Sequence, residues 1–437
     1  MAELRRALGR WDLTSIGVNQ VIGAAIFLLP AQVATEIGAW SPLGFVAIGL
    51  ASLTIALCFA EVGSRFDGTG GPYLFTRTAF GPFIAFEVGW IQWFVRAASQ
   101  AVALSGTVLA LGYYWPGLTT GWPRGVFITA LTAAMAWINI RGVRQSAFVV
   151  NTMTIGKVLP LAVFILMGAF FMHAPDLAAL PRVTTSQAAT AALLLVYVYG
   201  GYEVVPVIAG EAVDPRKHIP FAMVWTILIV MTVMTLTQVV AQGILTNVAG
   251  HSTPIADAAA VILGSWGALL ISVGSVVAIT GNNAGQVLSG SRMLFALAEN
   301  GDLPAFFARV HSSYRTPANA ILFTSAVALA LALTGSFAQI AVVSAVARIV
   351  TYTSVSAATL RLRSPRFRDR VNPATFTTPL GPVVPLLAIA IGLAVIGGAT
   401  RVQLIGGLSA LAVGAVLFLV RRKPAPRRHE DAKINMV

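Results

Sequence analysis

Charged residues are scarce in this chain of 437 residues, since Asp, Glu, Lys and Arg together make up 10% of it. A soluble protein carries about a quarter of such residues, so the shortage argues against a soluble globular fold. Hydrophobic residues make up 57% of the chain, and the mean hydropathy is +0.80. These values are typical of a membrane protein that crosses the bilayer several times.

Cysteine is nearly absent, because Cys58 is the one cysteine of the chain. An intramolecular disulfide and a cysteine-based metal site are therefore excluded. The five histidines are scattered without metal-ligand spacing. A membrane enzyme would need a nucleophile–base pair, a metal cluster or a Walker-type loop, and the sequence shows none of these. We therefore expect no cofactor, no metal and no enzymatic activity.

Apolar stretches of the length that spans a bilayer, roughly 20 residues, are abundant. We predict twelve such spans, all helical, and a short helix in the outer loop 246–267, whereas 63–82 is predicted as an inner loop. The spans run approximately over 13–36, 41–63, 83–111, 124–140, 146–172, 187–210, 219–245, 267–296, 319–334, 337–360, 382–399 and 402–420.

Positive charge is distributed unevenly between the loops. With the N-terminus in the cytoplasm, 22 of the 29 Lys and Arg residues lie on the cytoplasmic side, three outside and four within spans. This bias predicts that both termini are cytoplasmic in a multi-pass protein of the cell (inner or plasma) membrane. It also explains the net charge of +13 by topology and lipid-headgroup contacts rather than by nucleic-acid binding.

Two predicted spans are interrupted near their middle. In IGVNQVIGAAIFLLP (16–30) the break is Gly23-Ala24-Ala25, and in ALLLVYVYGGYEVVPVIAG (192–210) it is Gly200-Gly201. A helix unwound in hydrocarbon leaves backbone groups unpaired, so such a break persists only where it lines a cavity or a solute. Paired breaks indicate the binding site of a secondary transporter.

The second break follows the first by five spans, an odd number that inverts the next unit in the membrane. We therefore predict an all-α polytopic fold with twelve transmembrane helices, of which helices 1 and 6 are discontinuous, in a single domain over 1–437. Its predicted parts are an inverted pair of five-helix repeats (11–172 and 187–363), two appended helices (380–421) and a disordered cytoplasmic tail (422–437).

Four motifs in this order resemble the amino acid–polyamine–organocation (APC) superfamily of transporters. VIGAAIFLLP (21–30) is similar to its broken first helix, with Ala25 in place of the usual second glycine. AEVGSRFDGTGGPYLFTRTAFGP (60–82) resembles its first cytoplasmic loop. VYVYGGYE (196–203) and AGEAVDPRKHIP (209–220) resemble its broken sixth helix and the loop after it. The resemblance implies the LeuT-like fold and amino acid transport.

The resemblance also implies a ligand cradle at the breaks, with Tyr197 as an aromatic gate. A half-helix presents its positive dipole end to an anion, and unwound carbonyls attract a cation, so a zwitterion matches both. The implied sites are N–H groups of Gly23, Ala24, Ala25 and Ile26 for the α-carboxylate, and carbonyls around Ile22, Tyr197 and Val198 for the α-amino group. Gly200 and Gly201 of the second break are further substrate-binding candidates.

Lys157 lies near the middle of the fifth span, where a charged side chain costs at least ~2.5–3.5 kcal/mol. The resemblance implies that its ammonium replaces a sodium ion by donating to carbonyls of the first helix. We predict that Lys157 exchanges the coupling proton or substitutes permanently for sodium. A charged brace between helices is the alternative. Glu203 is a second coupling candidate, and a helix brace is again the alternative.

Two further arginines lie at the centre of spans: Arg96, one helical turn before Gln100, and Arg348, one turn after Ser344. Each needs an anion. They form either a substrate pocket for acidic or strongly polar side chains, together with Gln100 and Ser344, or internal ion pairs with Glu203 or Glu87. Arg292 is expected to extend its side chain to the cytoplasmic membrane surface.

We therefore predict a secondary active transporter of an α-amino acid, coupled to protons by symport and working by alternating access. Its predicted partners are the amino acid, the proton and membrane lipid, without nucleic acid or an obligate protein partner. A proton-independent amino acid exchanger is the alternative within transport. A channel would lack saturable flux, and a structural or receptor role would leave both breaks and Lys157 unexplained.

Overall fold

The computed structural model describes residues 3–23, 25–112, 115–173, 181–334, 337–397 and 401–421, with side chains except at 28, 337–346 and 395–397. These residues form helices and contain no β-strand, apart from one isolated bridge between Leu8 and Ala212. The α-helices are α1 (Arg10–Val21), α2 (Ala25–Ile37), α3 (Ser41–Gly63), α4 (Pro72–Phe80), α5 (Pro82–Gly112), α6 (Gly121–Arg141), α7 (Val143–Gly168), α8 (Thr185–Tyr199), α9 (Pro215–Ile244), α10 (Pro254–Leu263), α11 (Ser265–Glu299), α12 (Ala318–Thr334), α13 (Phe337–Leu362), α14 (Val383–Gly397) and α15 (Arg401–Val420).

Seven helical stretches of the described chain are long and apolar enough to cross a membrane, among them α5, α7, α9, α11 and α15. The chain is therefore an all-helical, multi-pass membrane protein. Each predicted span coincides with one helix, or with the two helical pieces that flank a break. The number of crossings, the inverted repeat and the domain boundaries stay predictions.

Both predicted breaks are present. The first separates α1, which ends at Val21, from α2, which begins at Ala25. The second follows α8, and the chain continues as a 3-10 helix over Tyr202–Glu211. Pro206 lies within this tight helix and has no amide hydrogen to donate. Unwound backbone therefore occurs at both positions, inside spans that are otherwise helical.

Two short helices lie in loops. The helix expected in 246–267 is confirmed as α10, whereas the segment 63–82, predicted as an inner loop, contains a helix that was not predicted, α4. Pro72 occupies the first turn of α4, where proline is favoured, directly after Gly71 with φ 44°. Tyr73 and Phe75 are buried, so apolar packing stabilises the helix.

One end of the bundle is held by contacts of basic side chains, and we call it the basic face. Arg216 donates to the carbonyl of Pro373 at 2.5 Å, and Glu61 accepts from Arg363 at 2.6 and 2.7 Å. Asp302 accepts from a further pair of arginines. Helices α1 and α5 begin at this face. The arginines that define the basic face are Arg65, Arg77, Arg216, Arg363 and Arg421.

Candidate functional site

The first break carries the carbonyl groups that bind Lys157. The ammonium nitrogen Nζ lies 3.0 Å from the carbonyl oxygen of Asn19, 2.7 Å from that of Ile22 and 3.3 Å from that of Ala278. Lys157 is fully buried, and no carboxylate of the described residues lies within 4.0 Å of it. The predicted donation to carbonyls of the first helix is confirmed. Its part in coupling stays a prediction.

The second break meets the first directly. Gly201 has φ +133°, a conformation that favours glycine. A Cβ atom at Gly201 would also stand 2.6 Å from the carbonyl oxygen of Gln20, just before the first break. Glycine is therefore required at 201 both by the backbone angle and by the close approach of the two unwound segments.

Polar side chains of α11 connect the breaks to α5. Gln20 and Asn282 exchange two hydrogen bonds between side-chain amides and main-chain carbonyls, at 3.0 and 3.1 Å. The Gln286 amide donates to Oδ1 of Asn282 at 3.1 Å, and its Oε1 accepts from Arg96 at 3.4 Å. A continuous hydrogen-bonded path thus runs from the first break to Arg96 in the middle of α5.

Arg96 forms a buried ion pair with Glu203. The second carboxylate oxygen of Glu203 accepts from the N–H of Gly201 at 2.8 Å and from the hydroxyl of Tyr352 at 3.0 Å. The ring of Tyr352 stacks on that of Tyr202, with centroids 5.5 Å apart. Since all three partners of Glu203 donate to it, the arrangement suits an ionised carboxylate.

Arg348 differs from Arg96, because no carboxylate of the described residues lies within 4.0 Å of it. Its Nη1 donates to the carbonyl of Tyr197 at 2.7 Å, and its guanidinium lies over the Tyr197 ring, 5.1 Å from the centroid. Its Nε is buried without a hydrogen-bond partner in the described structure. The guanidinium also lies against Gly200, where a Cβ atom would collide with it.

These groups surround a cavity of about 190 Å³. Val102, Gly106 and Ile279 line it on the side away from the basic face, because α5 runs away from that face and α11 runs back toward it. On the basic-face side lie the buried pairs Arg96–Glu203 and Arg292–Glu211. The cavity therefore extends from the breaks toward the face opposite the basic face.

The structure brings most of the predicted binding residues to this cavity. Gly23, Ala25, Arg96, Tyr197, Val198, Gly200 and Gly201 line it. Ile22, Ile26, Gln100 and Glu203 are buried beside it and are not among its lining residues. Ala24 lies outside the described residues, and so does the side chain of Ser344.

Several backbone groups of the predicted cradle already have partners. The carbonyls of Ile22 and Tyr197 accept from Lys157 and Arg348. The N–H of Gly23 donates to the carbonyl of Val21 at 2.9 Å. Groups at the ends of the regular helices remain: the first N–H groups of α2 and the last carbonyls of α8 have no partner within their own helix.

Sequence reasoning missed several polar and apolar lining residues. A signal existed for two of the polar residues around the site, because each lies four residues from an arginine that the sequence analysis named on the same helix, and such pairs share a face. Gln92 precedes Arg96, and Tyr352 follows Arg348 at this spacing. The lining residues that were missed are Gln20, Val21, Ala98, Ser99, Val102, Ala103, Gly106, Ile279 and Gln286.

Arg292 corrects one expectation. It does not reach the membrane surface but is fully buried, and it binds Glu211 through two hydrogen bonds of 2.9 and 3.0 Å. A buried partner makes extension of the side chain unnecessary, because the carboxylate compensates the charge. Glu87, considered as a partner for Arg96 or Arg348, has two buried carboxylate oxygens without hydrogen-bond partners in the described residues.

Comparison with known proteins bears on what this site handles. A family model described as amino acid permease matches residues 8–420. The serine/threonine exchanger SteT of Bacillus subtilis is 30% identical over 90% of this chain and 91% of its own. The branched-chain amino acid permease BcaP of the same organism is 27% identical over 96% and 94%, and a methylthioribose transporter is 26% identical over the same shares. The chain therefore belongs to the amino acid permease family, within the APC superfamily of amino acid transporters.

Proposed function

We propose that this protein is a secondary active transporter that carries an α-amino acid across the cell membrane together with a proton. It works by alternating access, in a twelve-span fold with two inverted five-helix repeats and with its basic face in the cytoplasm. The observation that carries this proposal is the buried Lys157, which donates to the carbonyls at the break that lines the cavity.

The substrate lies in the cavity between the breaks. Its α-carboxylate binds the N–H groups in the first turn of α2, at Ala25 and Ile26, where the helix dipole favours an anion. Its α-amino group binds carbonyls of the last turn of α8, Val198 among them. Tyr197, whose side chain is 49% exposed, is placed to close over the bound molecule.

Coupling follows from what Lys157 contacts. As an ammonium it supplies three donors to carbonyls of α1 and α11, whereas the neutral amine has two donors and no charge. Loss of the proton therefore weakens the contacts between α7, α1 and α11 at the break. Glu203, which accepts from the N–H of Gly201 at the second break, is the second coupling candidate, and protonation would require it to give up its pairing with Arg96.

The driving force suffices for uptake. One charge that crosses a membrane potential of 100 mV supplies roughly 2.3 kcal/mol. Since 1.4 kcal/mol corresponds to a tenfold ratio, one proton per substrate sustains accumulation of about fifty-fold.

Uptake of labelled amino acids into proteoliposomes tests coupling. We expect an inward proton gradient to drive accumulation by the wild-type protein and by the control Lys217→Gln, whose side chain lies on the surface. In Lys157→Gln the gradient should have no effect, while substrate still stabilises the purified variant against heat. Unchanged pH dependence in Lys157→Gln would reject its coupling role. Should that variant misfold, wild-type accumulation that ignores the gradient would reject symport.

Proton-independent exchange is the second candidate, and the similarity to a serine/threonine exchanger over 90% of the chain favours it. Counterflow separates the two. A symporter fills vesicles that contain no amino acid when a proton gradient is imposed. An exchanger takes up labelled amino acid only into vesicles preloaded with unlabelled amino acid, with or without the proton gradient.

A further inference from the structure

Arg348 is a cation in the cavity whose hydrogen-bonding capacity is not used up. Its guanidinium lines the cavity at the second break. Its described contacts are one carbonyl, that of Tyr197, and the face of the Tyr197 ring, neither of which carries a full negative charge. The Nε donor is buried and unpartnered.

The nearby carboxylate is committed to other donors. Glu203 accepts from Arg96, from the N–H of Gly201 and from the hydroxyl of Tyr352. No acidic side chain of the described residues lies within 4.0 Å of Arg348. Two guanidinium groups thus face one carboxylate, and an excess positive charge stays at the cavity wall. Lys157, on the other side of the first break, is a further cation and does not reduce this excess charge.

We infer that the substrate is an amino acid whose side chain ends in a carboxylate, and that Arg348 binds this carboxylate. The inference rests on the proposed function and adds the substrate class to it. A zwitterion is neutral overall and would leave the excess positive charge at Arg348 without an anionic partner. A side-chain carboxylate supplies the missing charge and accepts hydrogen bonds from the guanidinium.

The local geometry supports this assignment. Gly200 leaves room for the guanidinium, because any side chain there would displace it. The Tyr197 ring covers one face of the guanidinium, so its edge remains available for a ligand. Ala25, the first residue of α2, lines the same cavity, so the positive N-terminal end of α2 offers the α-carboxylate a site separate from Arg348.

Selectivity between acids and their amides tests the inference, because glutamate and glutamine, or aspartate and asparagine, differ little except in charge. We expect proteoliposomes with the wild-type protein to take up labelled glutamate or aspartate at least about tenfold better than the matching amide, as a charged hydrogen bond requires. The same acids should raise the thermal stability of the purified protein more than their amides do.

Substitutions then test whether Arg348 is the cation that recognises the side-chain carboxylate. Arg348→Gln should abolish the preference for the acid, Arg348→Lys should retain part of it, and Arg401→Gln, at an exposed arginine, should leave it unchanged. Equal handling of acids and amides by the wild type would overturn the inference while amino acid transport stands. An acid preference that persists in Arg348→Gln would overturn the role of Arg348. Failure to transport or bind any amino acid would instead refute the proposed function.

Discussion

At the scale of single residues, cations occupy the backbone acceptors of the breaks. Lys157 binds the carbonyl of Ile22, and Arg348 binds that of Tyr197, so both side chains satisfy groups that unwinding would otherwise leave bare in the membrane. The breaks are therefore stabilised in part without a substrate. Binding then needs only the helix-end groups that remain, together with the unpaired charge of Arg348.

Glycine at position 201 allows the two breaks to touch. Replacing it, and comparing it with a glycine that also has positive φ but no close neighbour, separates backbone strain from the steric effect of the contact. We expect Gly201→Ala to destabilise the protein by about 1–3 kcal/mol and to abolish uptake, because its Cβ atom would press on the carbonyl of Gln20. Gly381, with φ +56° and no atom within 4 Å of its Cβ position, is the matched control. Gly381→Ala should lose about 1 kcal/mol and keep full uptake. Normal uptake by Gly201→Ala would contradict the close contact.

At the scale of elements, buried ion pairs join helices on the basic-face side of the cavity. Arg292 of α11 binds Glu211 at the end of the 3-10 helix, and both side chains are fully buried. The pair holds the second broken span against α11 below the cavity. Arg96 of α5 holds the same span at Glu203, near the break itself.

Thermal unfolding of detergent-purified variants measures the Arg292–Glu211 pair. Arg292→Met should lower stability by about 3–5 kcal/mol, since Glu211 would stay buried without a partner. The double variant Arg292→Met/Glu211→Met should be more stable than this single variant. Arg368→Met, at an exposed arginine, serves as the control and should change stability little. A double variant less stable than Arg292→Met would show that an uncompensated charge is not the cause.

The elements were predictable from sequence because apolar stretches and glycine pairs are local signals. The sequence located both breaks for this reason, and it placed Lys157 against the first helix through the family resemblance. The partner of Arg292 was not predictable, because Glu211 lies 81 residues away and only packing brings them together. Helix α4 was missed because glycine and proline mark the start of a helix as well as its end.

The site was predictable only in part. Residues at the breaks follow from the motifs. The hydrogen-bonded path across α1, α11 and α5 depends on how each helix is rotated about its axis. A helix that is apolar on all sides gives no hydrophobic pattern from which this rotation can be predicted. Gln20 and Gln286 were missed for this reason. The choice between an acidic pocket and internal ion pairing was open for both arginines. The structure pairs Arg96 with Glu203, whereas no carboxylate in the described part of the chain lies within 4.0 Å of Arg348.

At the scale of the whole molecule, the cavity that the described residues form extends from the breaks toward the face opposite the basic face. Alternating access requires the helices around the breaks to rearrange so that the basic-face side opens while the other side closes. The ion pairs on the basic-face side must then break or move together. The described conformation thus corresponds to one end of the proposed cycle, with the site facing away from the basic face.

Thiol labelling of intact cells tests this asymmetry. The native Cys58 should not react, because it is fully buried. We expect Val102→Cys, in the cavity wall, to react with a membrane-impermeant maleimide added outside. Ser289→Cys, at a buried position of α11 nearer the basic face, should be protected in the same cells. Equal labelling of both positions would contradict a cavity that opens to one side.

The same labelling reaction shows whether an amino acid occupies the space between the two breaks. In proteoliposomes, we expect the amino acid that the protein transports to slow labelling of Val102→Cys, with half-maximal protection near its KM for uptake. An amino acid that is not transported should have no effect. If a saturating concentration of the transported amino acid leaves the labelling rate of Val102→Cys unchanged, the substrate does not bind at the breaks.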